Sequence, residues 1–209
     1  MKKNNQVKVK MGRGCTVEKG ALVGYKTPRK IADHTLTIGN NAYIRSGSVI
    51  YSGSNIGTSL ATGHNVIIRE ENTIGDHLSI WSNSIIDYGC RIGDNVKIHS
   101  NVYIAQFTVI EDNVFIAPGV SIANDIHPGC ESSGKCMRGP IIKKGAQIGV
   151  NSTILPFVTI GTGAVIGSGS VVSRDIPAYS VAYGNPARVH NKTKNLECVT
   201  GLSKKPYSR

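Results

Sequence analysis

Residues 80–122 read IWSNSIIDYGCRIGDNVKIHSNVYIAQFTVIEDNVFIAPGVSI, and isoleucine returns at every sixth position: Ile80, Ile86, Ile92, Ile98, Ile104, Ile110, Ile116 and Ile122. An α-helix buries a stripe with a period of about 3.6 residues and a half-buried strand alternates with a period of 2, so a strict six fits neither alone. It fits short strands joined by tight corners. The column runs back through Ile74, Ile68, Thr62, Ile56, Ile50 and Ile44 to Ile38, with Thr62 its one break, and resumes as Ile142, Ile148, Ile154, Ile160, Ile166 and Val172. Two residues before the aliphatic, the side chain is often small or β-branched, as at Ala42, Ser48, Ser84, Val96, Val102 and Val120.

Three six-residue sides closing one triangular turn place residues 18 apart on top of one another. Successive turns then pair as parallel strands about 4.8 Å apart. A β-branched side chain stacks well on its own copy one turn away, which accounts for the near-uniform isoleucine. The predicted fold is therefore all-β: a parallel β-helix shaped as a triangular prism. Residues 1–35 read as an irregular N-terminal segment with an opening turn over 7–23 and a loop over 24–35. Residues 36–190 form the prism, 123–140 a protruding loop, and 191–209 a basic C-terminal tail.

With 209 residues, 40% of them hydrophobic, the chain suits one domain with a real core rather than a disulfide-stapled miniprotein or a disordered tail. No run approaches the roughly 20 apolar residues of a membrane span, and the start, MKKNNQVKVK, has charge without an apolar run behind it, so neither an anchor nor a signal peptide is expected. Five scattered cysteines, an odd number, point to a reducing compartment and hence the cytoplasm. The formal charge of +11 belongs to the two ends: residues 31–185 carry nine bases against eleven acids. A nucleic-acid binder would carry a basic stripe with interleaved aromatics on its folded body, so that class is set aside.

Between Ile122 and Ile142 the chain spends twenty residues where six would continue the column, so about fourteen are inserted. The inserted stretch, ANDIHPGCESSGKCMRGP at 123–140, carries His127 before Pro128, with Asn124 and Asp125 beside it. An imidazole of ordinary pKa near 6.5 is suited to accept a proton at neutral pH, which makes His127 the candidate general base. Asn124 and Asp125 are candidates for binding substrate or orienting that ring, although Asn-Asp is also ordinary turn chemistry. His127, Cys130 and Cys136 invite a metal reading, but a structural zinc wants four ligands and a fourth is not evident, so no metal is expected. His99 follows an inward isoleucine and should point outward, with Asn101 two residues on. His34, His64, His77 and His190 read as structural or solvent-facing.

The repeat, together with VFIAPGVSIANDIHP (114–128), the run from Gly139 to Pro177 and GNPARV (184–189), resembles the hexapeptide-repeat, left-handed β-helix acetyltransferases. The second half is similar to the galactoside and maltose O-acetyltransferase branch, and 80–118 to amino-sugar nucleotide N-acetyltransferases of surface-polysaccharide synthesis. Left-handedness comes from this resemblance, since ordinary crossovers are right-handed. The resemblance also implies acetyl-CoA as donor, a homotrimer with active sites between subunits, a small-molecule sugar acceptor, and direct transfer with His127 as general base rather than through Cys136. It assigns substrate contacts to His99 and Asn101, and cofactor contacts to Val150, Ser168, Ser173 and Arg188, with Lys192 adding charge nearby.

The expected reaction is N-acetylation of a nucleotide-linked amino sugar, with sugar O-acetylation as the alternative. Two remoter classes share the prism: a non-catalytic scaffold, and a γ-type carbonic anhydrase, whose paired histidines five residues apart have no counterpart here.

Overall fold

A computed structural model describes residues 7–207; residues 1–6, the start of the basic N-terminal segment, and 208–209, the end of the tail, lie outside it. The chain winds as a left-handed parallel β-helix with three flat faces. Thr73–Ile74 pairs with Arg91–Ile92 on the first face, Ser79–Ile80 with Lys97–Ile98 on the second, and Ile85–Ile86 with Tyr103–Ile104 on the third. Most strands are only two residues long because a six-residue side must also turn a corner.

The column isoleucines point inward and are buried, Ile44, Ile50, Ile68, Ile86, Ile98, Ile104, Ile142 and Ile160 completely. Each such burial contributes about 1.5–3 kcal/mol gross, against the entropy of ordering the chain. The residues two before them are inward as well: Val66, Ser84, Val96 and Val120 are fully buried. Ser84 is tolerated because its hydroxyl donates to the His99 carbonyl at 2.7 Å.

Corners need backbone in the left-handed region, where asparagine pays least after glycine. Asn41, Asn65, Asn83, Asn95, Asn101, Asn113 and Asn151 all sit there, with φ between 54° and 60°. At the edge between the first and second faces, a carboxylate ladder closes the turns. Asp76 Oδ1 accepts the Thr58 N–H at 2.6 Å and Asp94 Oδ1 the Asp76 N–H at 2.7 Å.

The first coil is part of the prism: Lys8–Met11, Thr16–Val17 and Leu22–Tyr25 pair with Thr35–Ile38, Tyr43–Ile44 and Val49–Tyr51. The strand Thr35–Ile38 straddles the boundary read at 35/36. At the other end Ser180–Gly184 joins the second face in parallel, and Ala187–Lys192 folds back on it antiparallel, crossing residue 190. A hairpin needs no six-residue repeat, so periodicity could not mark that end. Among the described residues no helix is long and apolar enough to cross a membrane.

Ile98 lies mid-column, fully buried. Ile98→Ala is expected to cost about 2–5 kcal/mol, and Ile98→Asp to abolish the folded state, read by thermal denaturation followed by circular dichroism; a melting temperature unchanged in Ile98→Ala would contradict a continuous load-sharing core.

Candidate functional site

The insertion leaves the third face after Ser121–Ile122 and re-enters the first at Ile141–Ile142, so it projects from the edge between them. The stack continues past it: Ile110 pairs with Ile142 and Ile122 with Ile154, although on the preceding coil the pairing reaches only Tyr103 with Ser121. The neck is closed by the Arg138 N–H donating to the Asn124 carbonyl at 2.8 Å. Pro128 and Gly129, the latter at φ 84°, turn the chain, and Ser133–Cys136 makes one helical turn.

Asp125 holds this loop in shape. Its Oδ1 accepts the backbone N–H of His127 at 2.9 Å and its Oδ2 the Ser133 hydroxyl. The carboxylate therefore positions the His127 backbone and does not touch its ring. The imidazole itself is exposed and, among the described residues, makes no hydrogen bond or ring contact. Asn124 is likewise engaged: its Nδ2 donates to Gln106 Oε1 at 2.7 Å. Cys130 and Cys136 are exposed, and among the described residues no group of three or more His, Cys, Asp or Glu converges as a ligand set.

Below the loop neck runs a polar network that sequence reading missed. Gln106 Nε2 donates to Asp87 Oδ2 at 2.5 Å, and the Tyr103 hydroxyl donates to the same oxygen at 2.8 Å. Arg69 bridges Asp87 at 2.9 Å and Glu70 at 3.0 Å, and Arg29 reaches Glu70 at 2.8 Å and Glu71 at 3.0 Å while its guanidinium lies 3.5 Å over the Tyr88 ring. Burial pushes the Glu70 carboxyl up, but its hydrogen bonds and the charges of Arg29 and Arg69 outweigh this and hold it below the ordinary value. Burial together with Asp87 pushes the Tyr103 phenol up to about 12. The network straps the 26–34 loop to the edge from which His127 projects. Its signal in the sequence was the charged run Arg69-Glu70-Glu71 between the in-phase Ile68 and Ile74.

The other candidates divide between two edges of the prism. His99, Asn101, Val150 and Ser168 lie at the end of the second face and its edge with the third, Val150 and Ser168 stacked one turn apart with the Gly169 N–H donating to the Val150 carbonyl at 2.7 Å. Asn124, Asp125, His127 and Ser173 lie at the edge between the third and first faces. One chain thus does not bring His99 or Asn101 to His127. Asn101 is a left-handed corner residue, a backbone reason for asparagine independent of any ligand. His99 stacks on Trp81, ring centroids 4.4 Å apart and 7° from parallel, and meets Phe115 edge-on. Arg188 and Lys192 lie on the C-terminal hairpin, Arg188 exposed and Lys192 Nζ at 3.2 Å from the Ser180 hydroxyl. Of the remaining histidines, His34 is buried against Ser52, His77 turns a corner, and His190 stacks on Tyr183. His64, whose Nδ1 lies 2.9 Å from the Ser46 hydroxyl, lines a concavity on the second face.

The bacterial transferase hexapeptide (six repeats) model matches residues 71–106, 89–124 and 139–174. Over 62 residues, 30% of this chain and 31% of the relative, the sequence is 53% identical to a dTDP-3-amino-3,6-dideoxy-alpha-D-galactopyranose 3-N-acetyltransferase of Aneurinibacillus thermoaerophilus. Over 71 residues, 34% of this chain and 22% of the relative, it is 41% identical to serine acetyltransferase 2 of Arabidopsis thaliana. The matched stretches thus span less than a third of these curated relatives. In fold the chain is similar to LpxA, a UDP-N-acetylglucosamine acyltransferase from Bacteroides fragilis, with a TM-score of 0.74, 21% identity, and coverage of 90% of this chain and 71% of that one.

Because the Glu70 pKa is depressed on folding, its stabilising contribution is present above the unfolded value of 4.5 and is lost as pH falls through the folded one. Glu70→Gln is expected to melt at a lower temperature than the parent at pH 7, with the gap narrowing below about pH 4. Melting curves of both proteins from pH 7 to 3 check this; a gap constant over that range contradicts it.

Proposed function

We infer that this chain, whose residues 71–124 and 139–174 match the bacterial transferase hexapeptide model, is an acetyltransferase that moves an acetyl group from acetyl-CoA to a sugar, with the amine of a nucleotide-linked amino sugar as the leading acceptor. The observation that carries this reading is the loop at 123–140, which holds His127 by its backbone and leaves its imidazole unoccupied at an edge of the prism. The likeness to a dTDP-amino-sugar N-acetyltransferase supports the acceptor class.

The donor fits the residues present. Val150 is 40% exposed beside a turn-to-turn hydrogen bond, Ser168 is exposed on the same edge and Ser173 on the next, and Arg188 and Lys192 supply positive charge for phosphates on the adjoining hairpin. When bound, acetyl-CoA supplies a thioester carbonyl activated toward attack. The chain's part is to orient the acceptor and to take a proton from its nitrogen or oxygen, and His127 Nδ1 or Nε2 is the group free to do so.

His99 and Asn101 lie away from His127 within one chain. A homotrimer, in which the loop of one prism meets the second-to-third edge of the next, would join the two sets into one site. That assembly is part of the proposal, as is the cytoplasm, in keeping with five free cysteines. Transfer to a sugar hydroxyl is the second reading, and the unoccupied imidazole favours it, because a hydroxyl needs a base whereas an amine of pKa about 8 is partly free at neutral pH.

Release of CoA thiol across a panel of nucleotide amino sugars and simple glycosides, with His127→Ala alongside, tests both readings. On an amine acceptor the variant is expected to retain most of kcat/KM and recover further at higher pH. On a hydroxyl acceptor it is expected to lose about 10²–10⁴-fold. A mild loss on a true hydroxyl acceptor would remove His127 as general base, and failure to bind CoA would return the scaffold reading.

A further inference from the structure

The repeat departs from its rules at one coil, residues 58–64. There the inward column carries Thr62 in place of isoleucine, buried to 5% exposure, its Oγ1 accepting the Arg45 N–H at 2.9 Å. The two outward positions beside it are Ala61 and Gly63, the smallest available. Ala61 has Tyr43 in register on one neighbouring coil and Ser79 on the other. Gly63 sits between Arg45 and Trp81 in the same column, which continues to His99. The result is a concavity of about 380 Å³ lined by Tyr43, Arg45, Ala61, Gly63, His64 and Trp81.

Trp81 and His99, on successive coils, already form a parallel stack. At Gly63 the next rung of that stack is missing, one coil spacing of about 4.8 Å away. The outward face of Trp81 is open, 37% of the residue being exposed. A Cβ at position 63 would lie 2.3 Å from the Ser82 nitrogen and 2.6 Å from its hydroxyl, so glycine is required by the close approach of the next coil and the rung stays vacant. Across the vacancy stand the Arg45 guanidinium and the Tyr43 ring, 5.5 Å apart. Tyr43 is held by its hydroxyl donating to Glu18 Oε1 at 3.0 Å, and Glu18 Oε2 accepts the Ser46 N–H at 2.9 Å. His64 has one ring nitrogen on Ser46 and the other without a partner among the described residues.

A slot one ring thick, with an indole face on one side, a guanidinium on the other and an imidazole and serine hydroxyls at its rim, matches a flat heteroaromatic ring carrying an anionic group. We propose that this slot takes the base and phosphates of a nucleoside diphosphate, the ring filling the rung left at Gly63 between Trp81 and Arg45. The slot thereby selects a nucleotide-linked acceptor over a free sugar, and in that respect it rests on the acceptor class proposed above. Binding of the nucleotide itself does not depend on any transfer reaction.

Trp81 is the single tryptophan of the chain, so its fluorescence reports the slot directly. Titration of the purified protein with thymidine diphosphate is expected to quench that fluorescence saturably. Arg45→Ala, at an exposed position, and Ala61→Phe, which fills the slot, should each weaken binding at least tenfold, with circular dichroism and melting temperature showing that the fold persists. Coenzyme A, titrated separately and in competition, distinguishes the two sources of a nucleotide: no displacement by coenzyme A supports an acceptor slot, whereas displacement overturns it in favour of the donor. Quenching absent in the parent, unchanged in Arg45→Ala, or following protein concentration alone, as for a subunit contact, also overturns it. Tight thymidine diphosphate binding with no acetyl transfer to any nucleotide amino sugar would leave the slot standing and remove the amine-acceptor reading.

Discussion

The structure depends on one constraint, that each coil must present its backbone hydrogen bonds and its inward side chain at the same place as the coil before it. Thr73 N–H donates to the Cys90 carbonyl, Arg91 N–H to that of Thr108, and Val109 N–H to that of Pro140, one after another up the first face. Strands of two residues cannot hold together by themselves. Here each gains its partners from coils above and below, and the isoleucine stack supplies the apolar burial that makes the register costly to lose. The insertion at 123–140 is tolerated for the same reason. Its two ends re-enter the stack in phase, with Val109 opposite Ile141 and Ser121 opposite Thr153, so the ladder resumes on both faces.

Rigid faces leave function to the edges and to departures from the repeat. His127 stands on a loop shaped by Asp125, while Asn124, Gln106, Asp87, Arg69, Glu70 and Arg29 link the neck of that loop to the N-terminal loop around Arg29. Every buried polar side-chain atom of the described residues has a partner. That satisfaction is what allows a carboxylate with no exposed side-chain surface, Glu70, to sit on the prism wall. The network makes the edge a fixed base for a loop whose imidazole stays free.

The second face offers different chemistry. Its outward column runs Arg45, Gly63, Trp81, His99 and Ala117, so a cation, a vacancy, two stacked rings and a small side chain follow one another up the face. In a repeat protein the wall is expected to be monotonous, and a coil that breaks inward and outward patterns together marks a place where packing has yielded to another demand. Thr62, Ala61 and Gly63 do this on a single coil. The loop edge and this wall face different directions on one prism.

The column of isoleucines, the small partners two residues before it, the position of the insertion and the projection of His127 were all legible in the sequence, because a six-residue period sets which residues point inward and which stack; the hand of the coil is not set by the period. Asn101 was legible as a polar residue on the way to a corner, but its left-handed backbone appeared only with the fold. Asn124 and Gln106, 18 residues apart, stack as the period requires. What the sequence could not contain was adjacency off that register: Arg29 and Glu70 are 41 residues apart, and their pairing depends on where the N-terminal loop folds back. Thr62 was visible as a break in the column, and His64 as a structural or solvent-facing residue. That they border a vacancy beneath Trp81 was decided by tertiary structure alone, since a missing rung exists only once the rungs on either side are in place.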